Sequence, residues 1–216
     1  MTELPDPFLL LIVVAVFSIL PFVTIMATSF VKIAIILSLI RNALGVQQIP
    51  PNMVLYGLAT ILTFYVMAPV VTAGYEGFAA INLEEATLAE IVEGMSAAID
   101  PFRAFLRKHT SETEIAFFIR TAGELWPLEM RDSIDQDNLL ILIPAFTVSE
   151  LTSAFQIGFL IYLPFIAIDL IISNILLAMG MMMVSPMTIS LPFKLLLFVM
   201  LDGWQQLIHG LVLTYM

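Results

Sequence analysis

Long segments without charge constrain this chain more than any other feature. No charged residue occurs from Phe8 to Val31 or from Asn42 to Tyr75. Beyond residue 138 the only charged residues are Glu150, Asp169, Lys194 and Asp202. About 20 apolar residues in a helix are enough to cross a bilayer. The sequence therefore predicts an all-α, multi-span membrane protein.

About four hydrophobic segments are predicted, near residues 8–31, 53–73, within 151–185, and 195–216. The third is ambiguous. The stretch from Leu139 to Ser185 could hold one span plus a half-span, or a re-entrant hairpin broken at Pro144 or Pro164.

Composition excludes several classes of protein. Hydrophobic residues make up 60% of the chain and charged residues 12%, against about 45–50% and 25% in ordinary soluble domains. A free soluble monomer and a disordered chain are both excluded. Without cysteine there are no disulfides, thiolate nucleophiles or cysteine metal sites. A net charge of −10 disfavours nucleic acid as a partner.

Most of the charge lies in one insert. Residues 76–137 carry thirteen acids and five bases, so three regions are expected: hydrophobic helices in 1–75, an acidic helical insert in 76–137, and hydrophobic helices in 138–216. Apolar residues recur in the insert at three- and four-residue steps, which predicts helices, with an interruption at Pro101. The insert is either a docking surface for a partner or a solvated cap.

Basic residues suggest an orientation. Lys32 and Arg41 lie between the first two segments and Lys194 between the last two. Because short basic loops stay in the cytoplasm, the acidic insert is expected on the outer side. Residues 1–7 contain Glu3 and Asp6 but no base, so we expect no cleaved signal peptide and a first segment that is retained.

Two carboxylates lie within apolar sequence, where an unpaired charge is costly. Asp169 is expected to pair with Lys194; the alternatives are a helix cap or a bond to Asn174, and a proton or cation site. Glu150, surrounded by hydroxyl residues, is expected near a helix N-terminus, where the macrodipole favours negative charge. No catalytic motif is visible, and His209 is expected to be interfacial, so the chain is not expected to be an enzyme.

Methionines are concentrated at one place. Met179 and Met181–Met183 flank Gly180 and precede Pro186. They are either ordinary apolar filler or a deformable seal in a pore, because methionine adapts to changing shapes.

Several long motifs resemble the FliP/SctR family, the R subunit of the type III secretion export gate. In the first half they are Met26-Ala-Thr-Ser-Phe-Val-Lys32, Arg41-Asn-Ala-Leu-Gly45, Pro50-Pro-Asn52 and Leu62-Thr-Phe64. In the second half they are Leu142-Ile-Pro-Ala-Phe-Thr-Val-Ser-Glu-Leu151, Ala154-Phe-Gln-Ile-Gly158, Pro164 to Asp169, Ala178-Met-Gly-Met-Met-Met-Val184, Leu191-Pro-Phe-Lys194 and Asp202-Gly-Trp204. They cover almost the whole chain except the insert.

The resemblance implies a pore subunit of the bacterial inner membrane, with the insert on the periplasmic side. It implies a pentamer that joins S and T subunits, with the U subunit and the large export-apparatus membrane protein as further partners, and unfolded secreted proteins as cargo. Met181, Met182 and Met183 match the family's methionine gasket. Asp169 and Lys194 match charged positions and are expected to hold helices together at a subunit interface. No cofactor is implied.

Three alternatives stay open from the sequence. Flagellar members usually begin with a cleavable signal peptide, so its expected absence favours the injectisome branch over the flagellar one. A small-solute or ion transporter would need discontinuous helices around the intramembrane charges. An intramembrane enzyme lacks a credible catalytic set.

Overall fold

The computed structural model describes residues 11, 14, 18, 21–22, 25–46, 48–79, 88–131 and 133–216. Half of the first predicted hydrophobic segment, at residues 8–31, lies outside these residues. All regular secondary structure within them is helical, as the sequence predicts. The helices are α1 (Phe30–Leu44), α2 (Asn52–Ala79), α3 (Leu88–Lys108), α4 (Glu112–Leu125), α5 (Leu128–Arg131), α6 (Leu139–Ala178), α7 (Pro186–Met200) and α8 (Gly203–Leu213).

Two of these helices are long and apolar enough to cross a membrane. They are α2, with 28 residues, and α6, with 40 residues. A third crossing is available if α7 and α8 act together, although their axes are bent by 61°. The last predicted segment, at residues 195–216, is therefore not one helix. The chain turns at Asp202, which has a positive φ of 49°, and no helix can continue through that left-handed conformation.

Helix α6 is continuous, so one of the two interpretations of this segment, a re-entrant hairpin broken at Pro144 or Pro164, is wrong. The expected interruption at Pro101 is also wrong, because α3 runs through it. A proline inside a helix removes one backbone donor, and its ring clashes with the carbonyl of residue i−4. The residues that follow the two prolines of α6, Ala145 and Phe165, are buried in the core, and we attribute the continuity of the helix to this packing.

Helix α1 lies at the centre of the packing. It contributes Ile33, Ile36, Leu37 and Ile40 to the core and contacts α2, α6 and α7. It can approach α6 closely because Gly158 has no side chain; a Cβ there would collide with Leu39.

The acidic insert packs against the hydrophobic helices. Helix α3 lies along α2, and α3 and α4 both contact α6. The contact between α2 and α3 is very close: a Cβ on Gly74 would lie 2.8 Å from the carbonyl oxygen of Ala98, and one on Gly77 would lie 3.1 Å from that of Ala97. Small residues therefore set the distance between these two helices.

Candidate functional site

The methionine cluster forms the tip of the α6–α7 hairpin. Gly180 adopts a left-handed φ of 74°, and the backbone N–H of Met181 donates to the carbonyl of Leu176 at 2.9 Å, which closes the end of α6. Met181, Met182 and Met183 are 41%, 82% and 101% exposed. The loop therefore presents three flexible apolar side chains outside the core of the chain.

Asp169 and Lys194 meet behind this tip, as the sequence predicts. Lys194 Nζ lies 2.6 Å from Asp169 Oδ2 and also donates to the carbonyl of Ala43 at 3.1 Å. Ser190 Oγ donates to the other carboxylate oxygen, Oδ1, at 2.6 Å. The pair thus joins α6 and α7 to the last turn of α1, where the helix macrodipole favours a cation.

Glu150 forms a second ion pair, and this one is buried on both sides. Its Oε1 lies 2.8 Å from Lys32 Nζ, with side-chain exposures of 2% and 5%. The hydroxyl of Tyr215 donates to the other oxygen, Oε2, and Lys32 Nζ lies 4.2 Å from the centre of the Tyr215 ring. The expected position near a helix N-terminus is wrong, because Glu150 lies well inside α6. Its negative charge is compensated by a lysine distant in sequence.

An aromatic group lies around this second pair. The His109 ring is 5.1 Å from the Tyr215 ring and 4.8 Å from the Phe105 ring. Burial, reinforced by the positive charges of Lys108 and Lys32, lowers the pKa of His109 to about 4. The imidazole is therefore neutral near pH 7. The acidic insert contacts the C-terminal end of the chain here through the aromatic rings of Phe105, His109 and Tyr215.

The basic residues used to orient the chain have different environments. Lys32 and Lys194 lie within helices and are buried in ion pairs, so neither is a free loop charge. Arg41, near the end of α1, donates to Asn52 Oδ1 at 2.5 Å and to the carbonyl of Pro50 at 3.3 Å. The positive-inside argument therefore rests on fewer residues than the sequence suggested.

Sequence reasoning missed two residues of these clusters. Ser190 completes the hydrogen bonding of the half-buried Asp169 carboxylate, and Tyr215 that of the buried Glu150 carboxylate. The i, i+4 spacing of Ser190 and Lys194 on one helix is the only sequence signal for the first. No sequence signal indicates Tyr215, because its partner depends on the packing of distant helices.

The arrangement offers ion pairing and apolar contact. In the part of the chain that the structure describes, no group of three or more His, Asp or Glu side chains is placed to hold a metal. The chemical features are two charge clusters that each join helices and one exposed methionine tip between α6 and α7.

Comparison with known proteins places this chain in a family. The model of the FliP family matches residues 13–211. The chain is 58% identical over 215 residues to Yop proteins translocation protein R of Yersinia pestis, covering 100% of this chain and 99% of that protein. It is 53% identical to the hypersensitivity response secretion protein HrcR of Ralstonia nicotianae, covering 95% and 96%, and 51% identical to the virulence protein YscR of Salmonella typhimurium, covering 99% of each. The chain belongs to the FliP family.

Proposed function

We propose that this chain is a pore-forming subunit of a type III secretion export apparatus. In this proposal several copies, five by family resemblance, form a ring in the bacterial inner membrane with the S and T subunits. The U subunit and the large export-apparatus membrane protein are neighbours. Unfolded secreted proteins pass through the ring, and the acidic insert lies on the periplasmic side. The subunit itself catalyses no reaction.

The exposed methionine tip is the observation that carries the proposal. Met182 and Met183 are among the most exposed apolar side chains in the part of the chain that the structure describes, and with Met181 they lie together at the tip of one hairpin. In a ring, copies of this tip would meet around the axis. Unbranched thioether side chains can then close against one another or around a passing polypeptide, while an apolar constriction resists water and ions.

The relatives favour the injectisome branch over the flagellar one. Their names refer to Yop translocation, to hypersensitivity response secretion and to virulence. A small-solute transporter is less well supported, because Glu150 and Asp169 are each paired with a lysine. Neither carboxylate is then free to bind a transported cation.

A triple substitution tests the seal. We expect Met181→Ala, Met182→Ala and Met183→Ala together to raise the leak of small solutes through the membrane and to alter the secretion of effectors. The matched control replaces three exposed methionines outside the tip, Met53, Met187 and Met200, with alanine. The control should leak no more than the unchanged protein, and both variants should form the ring on native gels.

Two results contradict the proposal. Unchanged permeability of the triple methionine variant in an assembled ring would contradict the role of these methionines as a seal. A stable monomer after gentle detergent extraction would contradict the proposed ring.

A further inference from the structure

We propose that Ser190 is a positioning residue for the methionine tip. Through Asp169 it holds a clamp between α6, α7 and α1, and this clamp fixes the hairpin that carries Met181–Met183. The inference rests on the proposed function for its significance, although its structural part can be tested without a pore.

The clamp engages both oxygens of one carboxylate. Ser190 Oγ lies 2.6 Å from Asp169 Oδ1, and Lys194 Nζ lies 2.6 Å from Oδ2. The Ser190 hydroxyl is fully buried and has a second acceptor, the carbonyl of Met187 at 3.2 Å. The shorter bond to a charged oxygen is the stronger of the two. Two successive turns of α7 therefore each donate a hydrogen bond to the Asp169 carboxylate.

The two hydrogen bonds to Asp169 restrain the rotation of α7 more than one of them would. With Lys194 alone, the Asp169 carboxylate could rotate and the long lysine side chain could follow it. With Ser190 as well, the carboxylate plane is fixed and α7 cannot turn about its axis without breaking a bond. The Lys194 bond to the Ala43 carbonyl extends the same restraint to α1.

The methionine tip depends on this restraint because its side chains are exposed and its backbone hydrogen bonds are local. These bonds run from Gly180 to Leu177, from Met181 to Leu176, from Met182 to Gly180 and from Val184 to Met181. Within the part of the chain that the structure describes, the side-chain hydrogen bonds between α6 and α7 are those at Asp169. The position of the tip is thus determined by how α6 and α7 are held together.

A distance measurement tests the clamp. The chain has no cysteine, so Thr152→Cys on α6 and Met182→Cys at the tip give two unique spin-label sites. Labelled subunits are diluted with cysteine-free protein so that each ring carries one labelled copy. We expect Ser190→Ala to broaden the distance distribution between the two labels. Thr188 is exposed on the same helix and makes no side-chain hydrogen bond to the residues that the structure describes. Thr188→Ala is therefore the matched control and should leave the distribution narrow.

The second readout connects the clamp to the pore. Ser190→Ala should increase the leak of small solutes while ring formation on native gels is unchanged. In a Met181–Met183→Ala background it should add no further leak, because both changes act through the same tip. If the methionine variant itself does not leak, the proposed function fails, but the distance measurement still decides the clamp.

The clamp is overturned if the Ser190→Ala distribution is as narrow as that of the unchanged protein. It is also overturned if Thr188→Ala broadens the distribution to the same extent. If Ser190→Ala prevents assembly, Asp169→Asn provides the second test. The neutral amide keeps the shape but weakens both contacts, and a narrow distribution in that variant would also reject the clamp.

Discussion

Lys32 and Glu150 form a buried ion pair that fixes the start of α1 against α6, with 2.8 Å between Lys32 Nζ and Glu150 Oε1. The two helices run in the same direction, since Leu39 of α1 meets Gly158 further along α6. A pair this deeply buried makes each partner dependent on the other, because a single remaining charge has no solvent to stabilise it.

Breaking this pair from one side should be costly. We expect Lys32→Met or Glu150→Gln to lower the free energy of unfolding by ~3–5 kcal/mol, measured by thermal unfolding in detergent. The double change Lys32→Met with Glu150→Leu should lose much less, because no charge is left buried. Asp100→Asn, in the exposed pair with Arg103, should cost only ~0–1 kcal/mol. Equal losses in the single and double variants would argue against mutual dependence.

His109 should make stability depend on pH. Its pKa is about 4 in the folded chain and 6.5 as the ordinary value, so between these values the unfolded chain binds more protons. Stability should therefore decrease as the pH falls from 6.5 towards 4, and His109 should have no effect above that window. His109→Gln should flatten this part of the curve of melting temperature against pH. His209→Gln, at an exposed position, is the control. If His209→Gln flattens the curve and His109→Gln does not, the pH dependence does not come from His109.

The contact between α2 and α3 should not tolerate a methyl group. Gly74→Ala would place its Cβ 2.8 Å from the backbone oxygen of Ala98, which cannot rotate away, so the helices must separate. We expect a loss of ~1–3 kcal/mol. Gly57→Ala lies in the same helix with nothing within 4 Å and should stabilise it by up to about 1 kcal/mol. Melting temperatures of the two variants check this, and a neutral Gly74→Ala would mean that the helices are not closely packed.

Exchanging the charges at Asp169 and Lys194 should recover part of what each single change loses. Asp169→Lys or Lys194→Asp alone leaves two like charges together and should reduce secretion strongly. The double exchange restores the ion pair. However, it places a carboxylate beside the carbonyl of Ala43, which in the unchanged protein accepts a hydrogen bond from the Lys194 ammonium. Secretion should therefore return only in part. No recovery in an assembled ring would contradict direct pairing.

Hydropathy predicted the helical class because apolar composition and helix length are local properties of sequence. The positions of breaks were harder to predict. Pro101, Pro144 and Pro164 all lie inside helices, so a proline alone did not mark a helix boundary. The break at Asp202 has no proline at all.

The charged sites were predicted to different degrees. Asp169 and Lys194 could be paired from sequence, because few other charges were available in that region. Glu150 could not, since its partners Lys32 and Tyr215 come from opposite ends of the chain. Lys32 was mistaken for a loop charge for the same reason. Contacts between distant segments depend on how the helices pack, and the sequence of one segment does not show which distant residues it will contact.

The two ion pairs also mark two depths along helix α6. Glu150 and Asp169 are 19 residues apart on the continuous helix α6, which is about 28 Å at 1.5 Å per residue. The hydrocarbon layer is about 30 Å thick. If α6 stands upright in the bilayer, the two pairs cannot both lie near its midplane. A fluorescence-quenching depth measured at either pair would therefore give the immersion of the entire helix.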